Sequence, residues 1–382
     1  MAVRLVDARL YALRIPFVEG FRHSASERRC ADSVVVHVRD DAGTEGFGEG
    51  TPRPYVTGET VDTMLDHLAG DLWPRVVGRE LPPVDRLAAI AAFLPPSFQP
   101  GVLAPNAARA ALELAIVDCA LRRADRPAAA VLPPRRARVT YSGVIGAGPI
   151  ERAVQHARRM RAVGMRHVKV KVGFDDDVPR VRAVRDALGG DVSLRLDANG
   201  AWTFDRALAV LDAIAPLGIA AVEQPLPRCP VEELGRLRAT TSVPVMVDES
   251  LVTAADAEAL IDAKAADVFN VRVSKCGGLA ASLALAERAA AAGIRVQIGS
   301  QVGETAILAA AGRHLAAALP EVAFVEGSFG TLLLTEDVSV ETIRFGHRGE
   351  ASLLRGPGLG IRVVEQRLRR YAVAIRTLPA EG

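Results

Sequence analysis

Lys169 and Lys171 stand two residues apart in the run Val168-Lys169-Val170-Lys171-Val172. In a strand they share one face, with the valines on the other. Two ammonium groups side by side call for a nearby anion, unless the strand simply turns its lysines to solvent. Downstream, a polar residue closes each of a series of apolar runs: Asp197, Glu223, Asp248, Lys275, Ser300 and Glu326. Counted from Lys171, the intervals are 26, 26, 25, 27, 25 and 26 residues. Left together without a cation, Asp197, Glu223 and Asp248 would repel and raise one another's pKa. Around one hard divalent ion they become oxygen ligands that leave positions open for water and substrate, a pattern suited to Mg2+ or Mn2+. Salt bridges to arginines such as Arg195 could explain any one of the three, but not all of them at a fixed period. Lys169 and Lys171 come from one side of the series and Lys275 from the other. A small-molecule carboxylate held by the ion would have its α-carbon between them, where lysines can remove or return a proton from either face.

These residues need a frame that brings the ends of successive runs together. The runs are short and strand-like, and Ala/Leu-rich stretches with helical spacing lie between them, such as Phe204 to Ile214 and Leu279 to Ala292. Strand and helix alternating at a fixed period form a repeated βα unit. Counting back 26 from Lys169 reaches Gly143, at the end of Val139-Thr140-Tyr141-Ser142, and eight strand-like runs follow from there. The expected fold class is α/β: a modified (β/α)8 TIM-type barrel, with functional groups gathered at the C-terminal strand ends.

Residues 1–135 lack the repeat. Val3 to Ile15 alternates like a strand, Ser33 to Arg39 and Gly43 to Gly50 suggest a hairpin, and helical spacing follows from Thr60 to His67 and from Asn106 to Arg123. This reads as an α+β capping domain, ending at Pro133-Pro134-Arg135-Arg136, ahead of a barrel over 136–330. Residues 331–382 are expected to return to the cap. Between the first two strands, Phe17 to Arg28 is too irregular for a strand. It reads as a loop that could close over the barrel mouth, with Arg22 and His23 as candidates for touching substrate.

With 47 basic and 45 acidic residues the net charge is +2, which supplies no electrostatic argument for nucleic acid or a membrane surface. Hydrophobic residues make up 49%, ample for a large core, yet no run approaches the roughly 18 apolar residues of a membrane span. Cys30, Cys119, Cys229 and Cys276 are scattered without paired spacing, as expected of reduced thiols in a cytoplasmic protein.

Lys169-Val-Lys171, Asp197-Ala198-Asn199, Glu223-Gln224-Pro225, Asp248-Glu249-Ser250 and Ser274-Lys275-Cys276-Gly277-Gly278 resemble, in order and spacing, the enolase superfamily, specifically its muconate-lactonising enzyme subgroup within the mandelate racemase/muconate lactonising enzyme family. The resemblance implies Asp197, Glu223 and Asp248 as ligands of Mg2+ or Mn2+. It also implies Lys171 and Lys275 as acid/base groups on opposite faces, Lys169 as an electrostatic helper, and Asn199 and Glu249 as neighbours that orient the site. The chemistry it implies is abstraction of the proton α to a carboxylate through an enediolate. It further implies a homo-oligomer. Histidine-dependent relatives such as mandelate racemase are excluded, because Ser300-Gln301-Val302-Gly303-Glu304-Thr305 stands at the seventh strand end, without a histidine. Substrate residues are less conventional. Glu326-Gly327-Ser328 departs from the Asp-x-Asp of dipeptide epimerases, and a glutamate common in relatives aligns with Gly303, beside Glu304. Ser300 and Glu326 remain substrate-binding candidates. The leading expectation is racemisation or epimerisation of an amino-acid derivative, since inversion requires acid/base groups on both faces. A muconate-type cycloisomerase is the alternative, and a non-catalytic ligand-binding barrel the distant one.

Overall fold

The computed structural model describes residues 4–23, 26–82, 87–94 and 104–379, and of 21–23, 26, 27 and 331 the backbone only. The N-terminal alternation forms β1 (Leu5–His23), which pairs antiparallel with β2 (Ser26–Asp40), itself paired with β3 (Glu45–Gly50). Both faces of this sheet are covered. Leu10, Ala12, Val34 and Val36 pack into the core beneath the cap helices, while Tyr11, Leu13, Ile15 and Val35 pack against a second cluster containing barrel residues Ala306 and Ile307. That two-sided burial explains the unbroken Val34-Val35-Val36 run. The helices are α1 (Val61–His67), α2 (Leu87–Phe93) and α3 (Asn106–Arg123). Helix α3 lies directly on the backbone of β3. A Cβ on Gly46, Gly48 or Gly50 would sit 2.4, 2.0 or 2.1 Å from Ala115 O, Ala111 O or Ala107 O, so only glycine permits this approach.

The barrel strands are preceded by a short strand outside them, β4 (Arg138–Thr140). Around the barrel run β5 (Gly143–Ile145), α4 (Ile150–Ala162), β6 (His167–Lys171), α5 (Asp177–Leu188), β7 (Ser193–Asp197), α6 (Phe204–Ile214), β8 (Ile219–Glu223) and α7 (Val231–Thr240). The circuit continues through β9 (Val245–Val247), α8 (Ala254–Asp262), β10 (Val268–Val271), α9 (Leu279–Ala291), β11 (Arg295–Ile298), α10 (Ala306–Ala318) and β12 (Phe324–Val325). Strands β5 to β12 form one parallel sheet of eight, and the Ser142 N–H closes it by donating to Val325 O at 2.8 Å. The last unit is short: β12 is followed by the single-turn helix α11 (Gly330–Leu333). The remaining elements are β13 (Glu350–Ser352), paired with β4, α12 (Glu365–Tyr371), and β14 (Ala372–Leu378), which returns to pair with β1.

Two expectations are corrected. Val139-Thr140 does not lead the barrel: it pairs with β13, and Gly143 starts the first barrel strand instead of ending it. Within the stretch from Phe17 to Arg28, the described residues 17–23 and 26–28 are not an irregular loop but the outer parts of β1 and β2, with the register shifted between Pro16 and Phe21. Its mixed chemistry misleads because the arm satisfies its backbone by self-pairing and by resting on the barrel rim. Phe17 bridges to Leu334, the Thr335 N–H donates to Pro16 O, and Glu19 pairs with Arg152 of α4 at 3.0 Å.

Buried polar groups join cap and barrel. Glu49 of β3 accepts from the Thr305 and Leu308 N–H groups at the start of α10, and Glu113 of α3 from the Ala280 N–H at the start of α9. Helix N-termini favour such carboxylates. Asn106 donates to Lys275 O, Arg109 to Gly277 O, and Arg53 to Val302 O, fixing two of the loops that rim the barrel mouth.

Candidate functional site

Register assembles the core of the site. Lys171 on β6 lies beside Asp197 on β7, and Asp197 beside Glu223 on β8, so each of these strands delivers one charged group at the same height. Asp248 follows immediately after β9. All three carboxylates are fully buried. The Lys171 ammonium donates to Asp197 Oδ2 at 2.6 Å and to Asn199 Oδ1 at 2.7 Å. Lys169 reaches Asp197 Oδ2 at 2.9 Å, Glu223 Oε2 at 3.1 Å and Glu326 Oε1 at 2.8 Å. Burial works against its charged form, but Asp197, Glu223 and Glu326 together outweigh that and raise its pKa, so it remains an ammonium. Asp197 is likewise held far below the usual carboxylate range: burial opposes this, and Lys169 and Lys171 override it.

Lys275 is placed differently from the expectation. It sits four residues beyond the end of β10, fully enclosed, and donates to Asp248 O at 2.7 Å, Asp248 Oδ1 at 2.8 Å and Asn270 O at 2.7 Å. Its donors are satisfied, and it does not line the cavity above the carboxylates. Lys169, Lys171, Asn199, Glu249, Ser300 and Glu326 do line it, in a space of ≈ 210 Å³. The side chains of Arg22 and His23 lie outside the described residues.

Glu326 is engaged with the protein itself. Arg195, entirely buried, donates to Glu326 Oε1 at 2.6 Å and to Ser142 Oγ at 3.0 Å, with its guanidinium 4.2 Å from the Phe324 ring centroid. Burial would raise the Glu326 pKa, but Lys169 and Arg195 bring it down to about 2. Arg195 therefore pairs with Glu326 and not with Asp197, Glu223 or Asp248.

The principal residue that sequence reasoning overlooked is Arg272. Its Nη2 bridges Glu223 Oε1 at 3.3 Å and Asp248 Oδ2, and its Nη1 donates to Gln301 Oε1 at 3.0 Å. Asn270 adds a bond to Glu223 Oε1 at 2.8 Å. A signal existed: in Val268-Phe269-Asn270-Val271-Arg272-Val273-Ser274 the polar residues alternate, which in a strand puts them all on one face.

Among the described residues no three His, Cys, Asp or Glu side chains converge as a metal-holding set, because Lys169 and Arg272 bridge the carboxylates instead. The donor chemistry nevertheless suits a hard divalent ion: three buried carboxylates stand on adjacent strands, and Glu249 Oε2 is buried without a partner. Burial, then the charges of Asp248 and Asp197, push Glu249 up to about 7, and burial and Asp197 also raise Glu223. The local cations thus leave negative charge uncompensated where a further cation would be held.

Comparison with known proteins places both parts of the chain in one family. Residues 152–367 match a family described as enolase C-terminal domain-like, and residues 8–132 match the mandelate racemase / muconate lactonizing enzyme N-terminal domain. The chain is 28% identical to an N-succinyl-L-Arg/Lys racemase of Bacillus cereus, over 97% of this chain and 98% of that protein. The crystal structure of that racemase superposes with a TM-score of 0.90, covering 98% of this chain and 100% of the other. A hydrophobic dipeptide epimerase of Enterococcus faecalis is 32% identical over 94% of this chain and 99% of its own. The structure of a dipeptide epimerase from that species, in complex with Mg and L-Leu-L-Tyr, has a TM-score of 0.83 at 29% identity, covering 94% and 99% of the two chains. Muconate cycloisomerase 1 of Rhodococcus opacus is 32% identical over 94% of this chain and 95% of its own.

Proposed function

The chain is an isomerase belonging to the mandelate racemase / muconate lactonizing enzyme family of the enolase superfamily, and we propose that it removes the proton α to a substrate carboxylate and delivers a proton to the opposite face of the enediolate, inverting an amino-acid derivative. The observation that carries the proposal is the pair Lys169 and Lys171, which line one cavity while both hold Asp197 and Lys169 also holds Glu223. Asp197, Glu223 and Asp248 would hold Mg2+ or Mn2+. When bound, the ion supplies positive charge that lowers the energy of the enediolate. Lys171 is the proton-transferring group: Asp197 and Asn199 aim its Nζ, and it reaches the cavity. Lys169 stays protonated among three carboxylates and adds fixed positive charge. Glu249 and Asn199, joined at 3.2 Å, orient the Lys171 side of the floor.

The placement of Lys275 favours a second reading. Returning a proton to the opposite face requires its ammonium to leave three acceptors, whereas a muconate-type cycloisomerase needs one proton-donating lysine and can use Lys275 where it lies, as fixed charge. Separate Lys171→Ala and Lys275→Ala variants, assayed with N-acylamino acids, dipeptides and muconates, decide between them. Inversion lost in both variants, by about 10²-fold or more, supports two-face proton transfer. Lactone formation lost only in Lys171→Ala supports the cycloisomerase, and turnover unchanged in both contradicts the assigned roles.

A further inference from the structure

Two carboxylates reach the cavity from the loops after the last two strands, and the protein treats them differently. Glu326 is neutralised by Arg195 and Lys169 and has no charge to spare for a ligand. The Glu304 carboxylate accepts one hydrogen bond, from the Gln301 N–H to Oε1 at 2.6 Å, and makes no ion pair to any described residue. The two guanidinium groups nearby are committed elsewhere: Arg272 to Gln301, Glu223 and Asp248, and Arg53 to Asp32 O, Pro52 O and Val302 O. Burial and the neighbouring Glu49 accordingly push the Glu304 carboxyl up to about 8, which Arg272 and Arg53 offset only in part.

The loop that carries Glu304 is held on both sides of it. Arg53 pins Val302 O at 2.6 Å, and Glu49 holds the Thr305 N–H at 3.1 Å. Between them Gly303 adopts φ +89°, and a Cβ there would lie 2.7 Å from Ala31 Cβ. Glu304 is therefore presented into the cavity by a fixed backbone, and the same cavity is lined by the apolar side chains of Val302, Phe329, Leu332 and Leu333. A preorganised acid with an unfilled acceptor, apolar side chains and two lysines, all lining one cavity, specify three parts of a ligand.

We propose that Glu304 binds an alkylammonium or guanidinium group of the substrate, so that the enzyme takes cationic amino-acid derivatives. The proposal rests on the isomerase reading above for the position of the substrate carboxylate. The cation could come from a side chain or from a free N-terminus, and two pairs of compounds separate these sources. N-acetylarginine is compared with its neutral isostere N-acetylcitrulline, and alanyl-leucine with N-acetylalanyl-leucine. Each is measured with the Mg2+-loaded protein for calorimetric binding and for α-proton exchange in D2O. In wild type, the cationic member of one pair binds at least tenfold tighter than its neutral partner, and Glu304→Gln abolishes that gap. The pair showing the gap identifies the source. No gap in either pair, a gap that survives Glu304→Gln, or binding of none of the four compounds overturns the proposal. A gap without α-exchange upholds Glu304 and contradicts the isomerase reading, while exchange without a gap does the reverse.

Discussion

Replacing Glu326 by Gln removes one carboxylate that answers two buried cations. Lys169, at 2.8 Å, keeps Asp197 and Glu223, but Arg195, at 2.6 Å, is left with Ser142 Oγ and the Phe324 ring. Stranding one partner of a buried ion pair costs about 3–5 kcal/mol. Linkage gives a similar size. The Glu326 pKa falls from 4.5 to about 2 on folding, Lys169 and Arg195 prevailing over burial, and at about 1.4 kcal/mol per pKa step this is roughly 3 kcal/mol. Because the folded value is depressed, the stabilisation is fully present above pH 4.5 and is lost as the pH falls through about 2. Urea unfolding at pH 7 should therefore show Glu326→Gln destabilised by about 3 kcal/mol, a deficit falling below half by about pH 3. A combined Arg195→Met/Glu326→Leu variant should recover most of the loss, since apolar groups can replace a buried pair at little cost. If Glu326 serves substrate instead, Glu326→Gln would raise KM and leave stability within about 0.5 kcal/mol of wild type. That result would refute the pairing argument.

Three further perturbations test other parts of the structure. Gly303→Ala combines a left-handed backbone with a Cβ 2.7 Å from Ala31 and 3.2 Å from the Phe17 ring; thermal unfolding should show a loss on the order of 2–5 kcal/mol, and an unchanged melting temperature would contradict the packing. Arg272→Met frees Glu223 and Asp248 from their guanidinium bridge, so in chelator the variant should melt below wild type by about 2–4 kcal/mol in stability. Added Mg2+ should raise its melting temperature more than that of wild type, and an equal rise would show that Arg272 does not share the ion's ligands. Burial raises Glu49 to about 7, incompletely offset by the Thr305 hydroxyl and the Thr305 and Leu308 N–H groups. A raised folded pKa favours the native state at low pH, so this contribution is lost as the pH climbs through 7; between pH 6 and 8, wild type should lose about 1 kcal/mol more than Glu49→Gln in urea unfolding.

Much of the site was legible because one period governs both the fold and the chemistry. A polar residue closes each run every 25 to 27 residues, so Lys171, Asp197 and Glu223 announce their adjacency by spacing, and the observed register places them side by side. The same habit of marking one residue per strand hid Arg272 and Asn270, which stand inside the sixth run instead of at its end. Lys275 shows the limit of spacing. Its interval is regular, but its direction is set by the turn after Val271, where Asp248 O and Asn270 O capture the ammonium. The β1–β2 arm resembles a loop in sequence because its residues are irregular and mixed in charge, while what keeps it extended is pairing with its own return strand and with the distant Leu334. The pairing of Glu326, a substrate-binding candidate by its place in the sequence, is hidden there because its partner, Arg195, comes from a strand 131 residues away.

Whether Lys171 moves the α-proton is decided by incubating the Mg2+-loaded protein in D2O with N-acylamino acids, dipeptides and muconates, and following the α-proton by NMR beside the Lys171→Ala variant. Wild type should place deuterium at the α-carbon of both epimers of one compound class, with exchange at least a hundredfold slower in the variant. Exchange that proceeds equally without the Lys171 ammonium, or no exchange and no lactone from any compound, would contradict that role.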